Sequence, residues 1–172
     1  MKPFADRLSE AVVAKRTPVM VGVDPRWNDL PAEVRRRALD QYGPSAAAAA
    51  NAYLEFSRQV LDVVADLTPI VKFQAAFFEA AGPEGMAALA QAMTYARERG
   101  LLVVLDGKRN DIGSTAEAYA SAYLGELEIE GRSQRLWPAD ALTVNPYLGS
   151  EGIEPFLKEA NRRQGEIGRA HV

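Results

Sequence analysis

Short, continuous apolar runs alternate with longer amphipathic stretches along most of this chain. An apolar run of about five residues between turn signals is typical of a strand buried on both faces of a parallel sheet. The longer stretches carry apolar residues at steps of three and four, which predicts helices that pack against such a sheet. The predicted strands are 18–23, 69–73, 101–106 and 140–144.

The helices predicted around these strands have recognisable starts. Ser45 precedes a run of alanines and is a favourable N-cap for a long helix. Ser114 and Glu117 have the spacing of a capping box, which predicts a helix that begins at about Thr115. The predicted helices cover 3–16, 46–67, 83–99, 115–124 and 152–163. Loops are predicted at 26–44 (with one short helix) and 125–138, and 74–81 is predicted to be a loop or a short helical turn.

The order of these elements indicates the fold class. Strand and helix alternate four times, at spacings of roughly 30–50 residues. Such alternation is typical of right-handed parallel βαβ units, so the chain is predicted to have an α/β fold. In a closed barrel of such units, the carboxyl ends of the strands surround one pocket.

Acidic and basic side chains stand at the carboxyl ends of the predicted strands. Asp106 and Lys108 follow the third apolar run, and alternation along a strand should point them to the same side, about 6–7 Å apart. Asp24 follows the first strand, Lys72 ends the second, and Thr143 lies in the fourth. If these strand ends share one edge, the side chains converge on one pocket.

Several of these side chains also have a structural explanation. Asp24 precedes Pro25 and could initiate a turn. Lys72 could lie along the sheet edge with its ammonium group in water, and Asp111 could cap the following helix. Charges at three successive strand ends favour a shared functional site over separate structural roles.

Composition restricts the chemistry that such a pocket can perform. The 172 residues are 48% hydrophobic, which is enough for one domain with a real core. There is no cysteine and a single histidine, His171, so carboxylates, lysines and arginines must do any chemistry. The net charge of −3 and the lack of a basic stripe argue against a nucleic-acid partner. No apolar run approaches 18 residues and no signal peptide pattern appears, so no membrane association and a cytoplasmic enzyme are expected.

Four motifs together resemble the orotidine 5′-phosphate decarboxylase family, most closely its bacterial subgroup. They are VGVDP (21–25), VKFQAAFFE (71–79), VLDGKRNDIGST (104–115) and TVNPYLG (143–149). They occur in the family's order, each on its proper predicted strand. Many relatives carry Ala where this chain has Gly107, a difference that the site should tolerate.

This resemblance implies a (β/α)₈ TIM barrel, of which the chain supplies about the first four βα units. It implies a carbon–carbon lyase of pyrimidine biosynthesis that converts orotidine 5′-phosphate to UMP and CO₂, with no metal and no organic cofactor. By this resemblance Lys108 donates a proton to C6 of the substrate. Asp106 lies near the departing carboxylate, and Lys72 completes the charged network and contacts the ribose.

The resemblance also implies a homodimer whose subunits share their sites. Asp111, with Ile112 and Thr115, would reach across the interface into the partner's site, and Asp24 would bind ribose hydroxyls. The expected catalytic residues are Lys72, Asp106, Lys108 and Asp111, and the expected substrate contacts are Asp24, Ile112, Thr115 and Thr143.

The chain also departs from the family. A full barrel needs about 250 residues, and its phosphate site lies in loops after strands 7 and 8. This polypeptide alone is therefore predicted to be inactive and poorly folded. The resemblance covers 1–163, and 164–172 is predicted to be a tail foreign to the family. Its EIGRAHV sequence suggests a translated sequencing adapter, a natural polar tail being the alternative, and the nucleotide sequence would decide between them.

Three other functions stay open. A sugar-phosphate decarboxylase of the same superfamily would need Mg²⁺ and an additional acid on the second strand, where this chain has Lys72 and no acid before Glu79. A Schiff-base aldolase is disfavoured because the acidic neighbours of Lys72 and Lys108 favour the protonated amine. The third is a non-catalytic half-barrel that only associates with other half-barrels.

Overall fold

The computed structural model describes residues 2–169, which form a parallel sheet covered by helices and one small hairpin. Within this range, no helix has both the length and the apolar character required to cross a bilayer. Two short 3₁₀ turns lie at Trp27–Asp29 and Ser150–Gly152. The elements are α1 Phe4–Lys15, β1 Met20–Val23, α2 Ala32–Tyr42, α3 Ala46–Val64, β2 Ile70–Gln74, α4 Ala75–Glu79, α5 Gly82–Glu98, β3 Leu102–Arg109, α6 Gly113–Leu124, β4 Leu127–Ile129, β5 Arg132–Gln134, β6 Ala141–Val144, α7 Glu154–Arg163 and β7 Glu166–Arg169.

The main sheet has five parallel strands in the order β1-β2-β3-β6-β7. On β2 and β3, Gln74 stands directly opposite Asp106. The register between β3 and β6 shifts between Leu105 and Arg109, so the end of β3 departs from regular pairing. The four predicted strands and their parallel arrangement are therefore confirmed, and β7 is a fifth strand.

The two faces of the sheet have different surroundings because side chains alternate along each strand. On one face, Phe73, Leu105 and Leu142 are fully buried in the main core, which the helices supply with Leu89 and Met93. The alternate positions towards the carboxyl ends of the strands are only partly buried, and they include Lys72, Gln74, Asp106 and Thr143. The polar side chains at the strand ends thus share the face opposite the main core.

A second, smaller apolar cluster lies on that polar face, towards the amino ends of the strands. Phe4 and Leu8 of α1 pack there against Ile70 and Ala141. Leu102 and Val104 of β3 complete the cluster. Helix α1 therefore covers the amino-end part of the face whose carboxyl end carries the charged residues.

Asp140, immediately before β6, connects distant elements at the amino end of the sheet. Its side chain is only 2% exposed, and its Oδ1 atom lies 2.7 Å from an Nη1 atom of both Arg7 and Arg97. Its Oδ2 atom accepts a hydrogen bond of 2.9 Å from the backbone N–H of Val103. Arg7 also donates to the carbonyl oxygen of Gln164, at 3.2 Å. Asp140 thereby joins α1, α5 and β3 to β6.

The helix starts only partly follow the predictions. Ser45 is confirmed as an N-cap, since its Oγ accepts a hydrogen bond of 3.2 Å from the Ala48 N–H. The capping box at Ser114 is wrong, because α6 begins at Gly113 with Ile112 as its N-cap and with no side-chain cap. Gly113 has a positive φ of 53°, a conformation that glycine adopts without strain.

Two polar segments contain strands that were not predicted. The segment 125–138 was predicted to be a loop, yet it holds the antiparallel hairpin β4–β5, which turns through Glu130 and Gly131 at positive φ. Strand β7 pairs with β6 within the predicted foreign tail, with Ile167 opposite Leu142. Residues 170–172, including His171, lie outside the described residues. The adapter origin of the tail stays a prediction.

Candidate active site

Asp106 and Lys108 form an ion pair at the end of β3. The Lys108 Nζ atom lies 2.7 Å from Asp106 Oδ1, so the prediction that both side chains lie on one side of the strand is confirmed. The Lys108 side chain is 48% exposed, whereas that of Asp106 is 15% exposed. A shielded carboxylate thus holds an ammonium group that remains accessible from the open end of the sheet.

The backbone of Lys108 adopts a conformation that simple strand alternation does not predict. Its φ is +48°, in the left-handed region, which costs a non-glycine residue about 1 kcal/mol. Two contacts across to β6 hold the segment: the Lys108 N–H donates to Thr143 Oγ1 at 3.0 Å, and the Asn145 N–H donates to the Arg109 carbonyl at 3.0 Å. Such local strain is typical of functional sites.

Asp106 accepts three side-chain hydrogen bonds from three strands. Its Oδ1 accepts from Lys108 and, at 2.7 Å, from the Thr143 hydroxyl, while its Oδ2 accepts from Gln74 Nε2 at 2.8 Å. Burial acts to raise the pKa of Asp106, but the hydrogen bonds from Lys108 and Thr143 and the charges of Lys108 and Lys72 outweigh it, and the pKa is lowered. The carboxylate is therefore ionised at neutral pH.

Asp24 and Lys72 form a second ion pair beside the first. The Lys72 Nζ atom lies 2.8 Å from Oδ1 and 3.0 Å from Oδ2 of Asp24. Asp24 follows β1 and Lys72 lies on β2, so this pair joins two neighbouring strands at the same end of the sheet. Because Lys72 also lowers the pKa of Asp106, the two pairs interact electrostatically.

Asp111, Ile112 and Thr115 lie apart from this hydrogen-bonded network. They belong to the loop after β3 and to the first turn of α6. Asp111 Oδ1 accepts a hydrogen bond of 2.8 Å from the Ile112 N–H, and both Ile112 and Thr115 are exposed. Within residues 2–169 the structure therefore brings together Asp24, Lys72, Asp106, Lys108 and Thr143, but not these three.

The site includes two residues that the sequence patterns did not indicate, Gln74 and Arg109. Gln74 is not among the predicted site residues, although it follows Lys72 by two residues and the period of a strand puts both on one face. Arg109 forms an ion pair with Glu79, and its guanidinium lies 5.1 Å from the ring centroid of Tyr123. Arg109 carries no local signal of this anchoring, because Glu79 and Tyr123 come from other elements.

Asp24 and Asp106, the two carboxylates of the site, each form an ion pair with a lysine. Asp24 is held by Lys72 and Asp106 by Lys108, as described above. Elsewhere in the described range, no three histidine, cysteine or acidic side chains group closely enough to bind a metal ion. The absence of a metal and of an organic cofactor stays a prediction.

Parallel βα units with an acid–base cluster at the carboxyl ends of their strands match the arrangement found in α/β barrels, whose sites lie at that end. Residues 17–170 match the model of the Orotidine 5′-phosphate decarboxylase / HUMPS family, and the chain belongs to this family. The family resemblance seen in the four motifs is therefore confirmed.

Individual relatives agree with this assignment. The chain is 47% identical over 167 residues to an orotidine 5′-phosphate decarboxylase from Rhodopirellula baltica, covering 97% of this chain and 53% of the relative. The corresponding enzyme from Caldicellulosiruptor saccharolyticus is 38% identical, covering 94% of this chain and 53% of the relative. The chain thus spans about half the length of the curated relatives it matches.

The fold of the chain also superposes on solved structures. The Leishmania donovani OMP decarboxylase superposes with a TM-score of 0.68 at 32% identity, covering 97% of this chain and 52% of that one. The UMP synthase of the same organism superposes with a TM-score of 0.70 at 31% identity, covering 98% of this chain and 30% of that one. The prediction that the chain corresponds to a portion of the family's barrel is confirmed.

Proposed function

We propose that the barrel to which this chain contributes decarboxylates orotidine 5′-phosphate to UMP and CO₂, as a carbon–carbon lyase of pyrimidine biosynthesis. The observation that carries the proposal is the pair of neighbouring acid–base contacts, Asp24–Lys72 and Asp106–Lys108, in a member of this family. Relatives that match nearly the whole chain carry the name of this activity. The proposed setting is the cytoplasm.

Lys108 is the proposed proton donor. When the bond between C6 and the substrate carboxylate breaks, CO₂ leaves as a neutral molecule and its bonding electron pair stays on C6. The Lys108 ammonium group stabilises this carbanion by its charge and then transfers a proton that forms the new C6–H bond. Its contact of 2.7 Å with Asp106 orients it for that transfer.

Asp106 is proposed to act on the substrate carboxylate. Its lowered pKa keeps it ionised, so a substrate carboxylate bound beside it is repelled. Loss of neutral CO₂ relieves that repulsion, which adds to the electrostatic stabilisation that Lys108 provides. Asp106 also holds the ammonium group that receives the developing charge.

Lys72, Asp24 and Thr143 are proposed to bind and arrange the substrate. Asp24 keeps an exposed carboxylate that can accept hydrogen bonds from ribose hydroxyls, while Lys72 contacts the ribose and links the two ion pairs. Thr143 already bonds both Asp106 and the Lys108 backbone, so it lies at the centre of the network. No metal and no organic cofactor is required for these steps.

Asp111, Ile112 and Thr115 are proposed to act in the partner subunit of a homodimer. Ile112 is 51% exposed although it is apolar, and Thr115 is exposed next to it. Both follow the strand that carries Lys108, so an interface at this end of the sheet would bring them near a second site. This arrangement would make Asp111 a shared catalytic residue.

The test joins residues 1–163 to the part of the Rhodopirellula baltica relative that begins at the residue aligned with Gln164, so that the strand equivalent to β7 is kept. Orotidine 5′-phosphate absorbance then reports turnover. The second part supplies the loops that bind phosphate in such barrels, and this remote binding energy supports catalysis as well as affinity. We expect turnover by the fused protein and none by the 172-residue chain alone.

The matched variants are Lys108→Ala and Lys158→Ala, the latter at an exposed lysine on α7. Lys108→Ala should lose about 10²–10⁴-fold in kcat because the general acid is gone, whereas Lys158→Ala should leave kcat unchanged. An active Lys108→Ala protein would refute the proton-donor role. A folded fusion without turnover would refute the substrate and favour another sugar phosphate, whose Mg²⁺ requirement can be measured directly.

A further inference from the structure

Gln74 belongs to the site because its side chain donates a hydrogen bond to Asp106. It is the last residue of β2 and stands directly opposite Asp106 in the parallel register of β2 and β3. Its Nε2 atom donates a hydrogen bond of 2.8 Å to Asp106 Oδ2, and its side chain is partly shielded from solvent. The proposed mechanism assigns it no step.

The two oxygens of Asp106 have separate partners. Oδ1 accepts from Lys108 and Thr143, and Oδ2 accepts from Gln74. The last torsion of an aspartate side chain has broad minima, so packing alone does not fix the plane of the carboxylate. Hydrogen bonds to both oxygens do fix it, and the contact from Gln74 is the one on the second oxygen.

The neutral charge of Gln74 suits this position. Lys108 on β3 and Lys72 on β2 already supply the positive charges that face Asp106, and Asp24 pairs with Lys72. A third cation would compete with Lys108 for the carboxylate, and an anion would repel it. An amide holds the carboxylate without changing the charge balance of the network.

We propose that Gln74 is a positioning residue that fixes the carboxylate of Asp106 and, through it, the ammonium group of Lys108. The catalytic part of this inference rests on the proposed decarboxylase function. The structural part does not, because the contact between Gln74 and Asp106 can be measured without any substrate.

The first measurement is the pKa of the Asp106 carboxyl group, by ¹³C NMR titration of the fused protein in the absence of substrate. Gln74→Met keeps the length of the side chain and removes the donor, so the pKa of Asp106 should rise. Gln74→Glu adds a carboxylate at the same place, so the rise should be larger. Gln59→Met is the matched control, because Gln59 donates a similar bond of 3.0 Å to Glu55 on an exposed helix face.

The second measurement is turnover in the fused protein. Gln74→Met should lower kcat about 10-fold with little change in KM, because a misdirected acid affects the transition state more than binding. Gln59→Met should not change either constant. An unchanged pKa of Asp106 in Gln74→Met would overturn the positioning role, as would an unchanged kcat in an active parent. If the parent has no turnover, the proposed function fails while the titration still decides this inference.

Discussion

Asp106 should make the free energy of unfolding of the chain depend on pH in the acidic range. Its pKa is lowered in the folded chain, where the donors Lys108 and Thr143 outweigh burial. The folded state therefore keeps this carboxylate ionised to lower pH than the unfolded state does. Its contribution is fully present above the unfolded pKa, near 4, and is lost as pH falls through the folded pKa.

The prediction concerns the difference in free energy of unfolding between the chain and its Asp106→Asn variant. We expect this difference to be constant near neutral pH and to shrink below about pH 4, as measured by urea unfolding at a series of pH values. Asp40→Asn, at an exposed aspartate paired with Arg36, serves as the control and should show a much smaller change. A difference that grows in acid would contradict the lowered pKa.

Individual residues of the site differ in how far the sequence predicts them. Asp106 and Lys108 were found because strand period and residue type together indicate a shared face. The left-handed backbone of Lys108 was not found, because it depends on a register shift against β6 and on a bond to Thr143, which is distant in sequence. Gln74 lies on the same face by the same period of two, but an uncharged amide at a strand end is a weaker indication of a functional site than a charged group.

The contact between α4 and α5 depends on Gly85. A Cβ atom at this position would lie 2.0 Å from the Phe78 carbonyl oxygen and 2.8 Å from the Ala81 Cβ. Gly85→Ala should therefore lower the free energy of unfolding by about 1–3 kcal/mol, as is typical when a packed contact is overfilled. The clash involves backbone and should outweigh the gain in helix propensity. The urea midpoint measures this effect.

Gly107→Ala provides the matched control. There the nearest atoms to an added Cβ are Arg109 Nε at 3.4 Å and Leu142 Cδ1 at 3.6 Å, close to ordinary contact distances. We expect the urea midpoint to stay near that of the parent, because an added methyl group has room there. Equal loss at both positions would mean that the space around Gly85 does not limit the packing of α5.

At the scale of elements, apolar periodicity predicts the strands and helices that bury an apolar face in the core. Strands β1, β2, β3 and β6 and the long helices α3 and α5 have continuous or periodic apolar patterns, and the sequence predicts all of them. Strand β7 has only Ile167 as a large apolar residue and forms by pairing with β6, which a local pattern does not reveal. The capping box prediction is wrong because α6 begins at Gly113, before Ser114, and no side chain caps it.

Because Asp140 joins several elements, its replacement should strongly lower the free energy of unfolding of the whole molecule. Asp140→Ala would leave the guanidinium groups of Arg7 and Arg97 without their shared carboxylate and the Val103 N–H without its acceptor. Removal of one partner of a buried ion pair typically lowers the free energy of unfolding by about 3–5 kcal/mol.

Urea unfolding at neutral pH measures the loss, with Asp40→Ala as the control. The Asp40 pair with Arg36 is exposed and spans one helical turn, so its loss should be small. Similar midpoints for the two variants would show that Asp140 does not join α1, α5 and β3 as described.

At the scale of the molecule, the alternation of elements was sufficient for the parallel order of the strands, since right-handed βαβ units leave few alternatives. The closure into a barrel came from the family resemblance and not from the pattern. Asp140 was predicted only as the start of a strand, because its partners lie 133 residues away at Arg7 and 43 residues away at Arg97.

The position of α1 has a consequence for the order in which the chain folds. This helix is synthesised before the sheet that it covers, yet Phe4 packs against Ile70 and Ala141, and Arg7 bonds Asp140. At about 5–20 residues per second, roughly 7–27 s separate the synthesis of Arg7 from that of Asp140. Helix α1 therefore docks long after its own synthesis, and until then the amino-end part of the sheet remains uncovered.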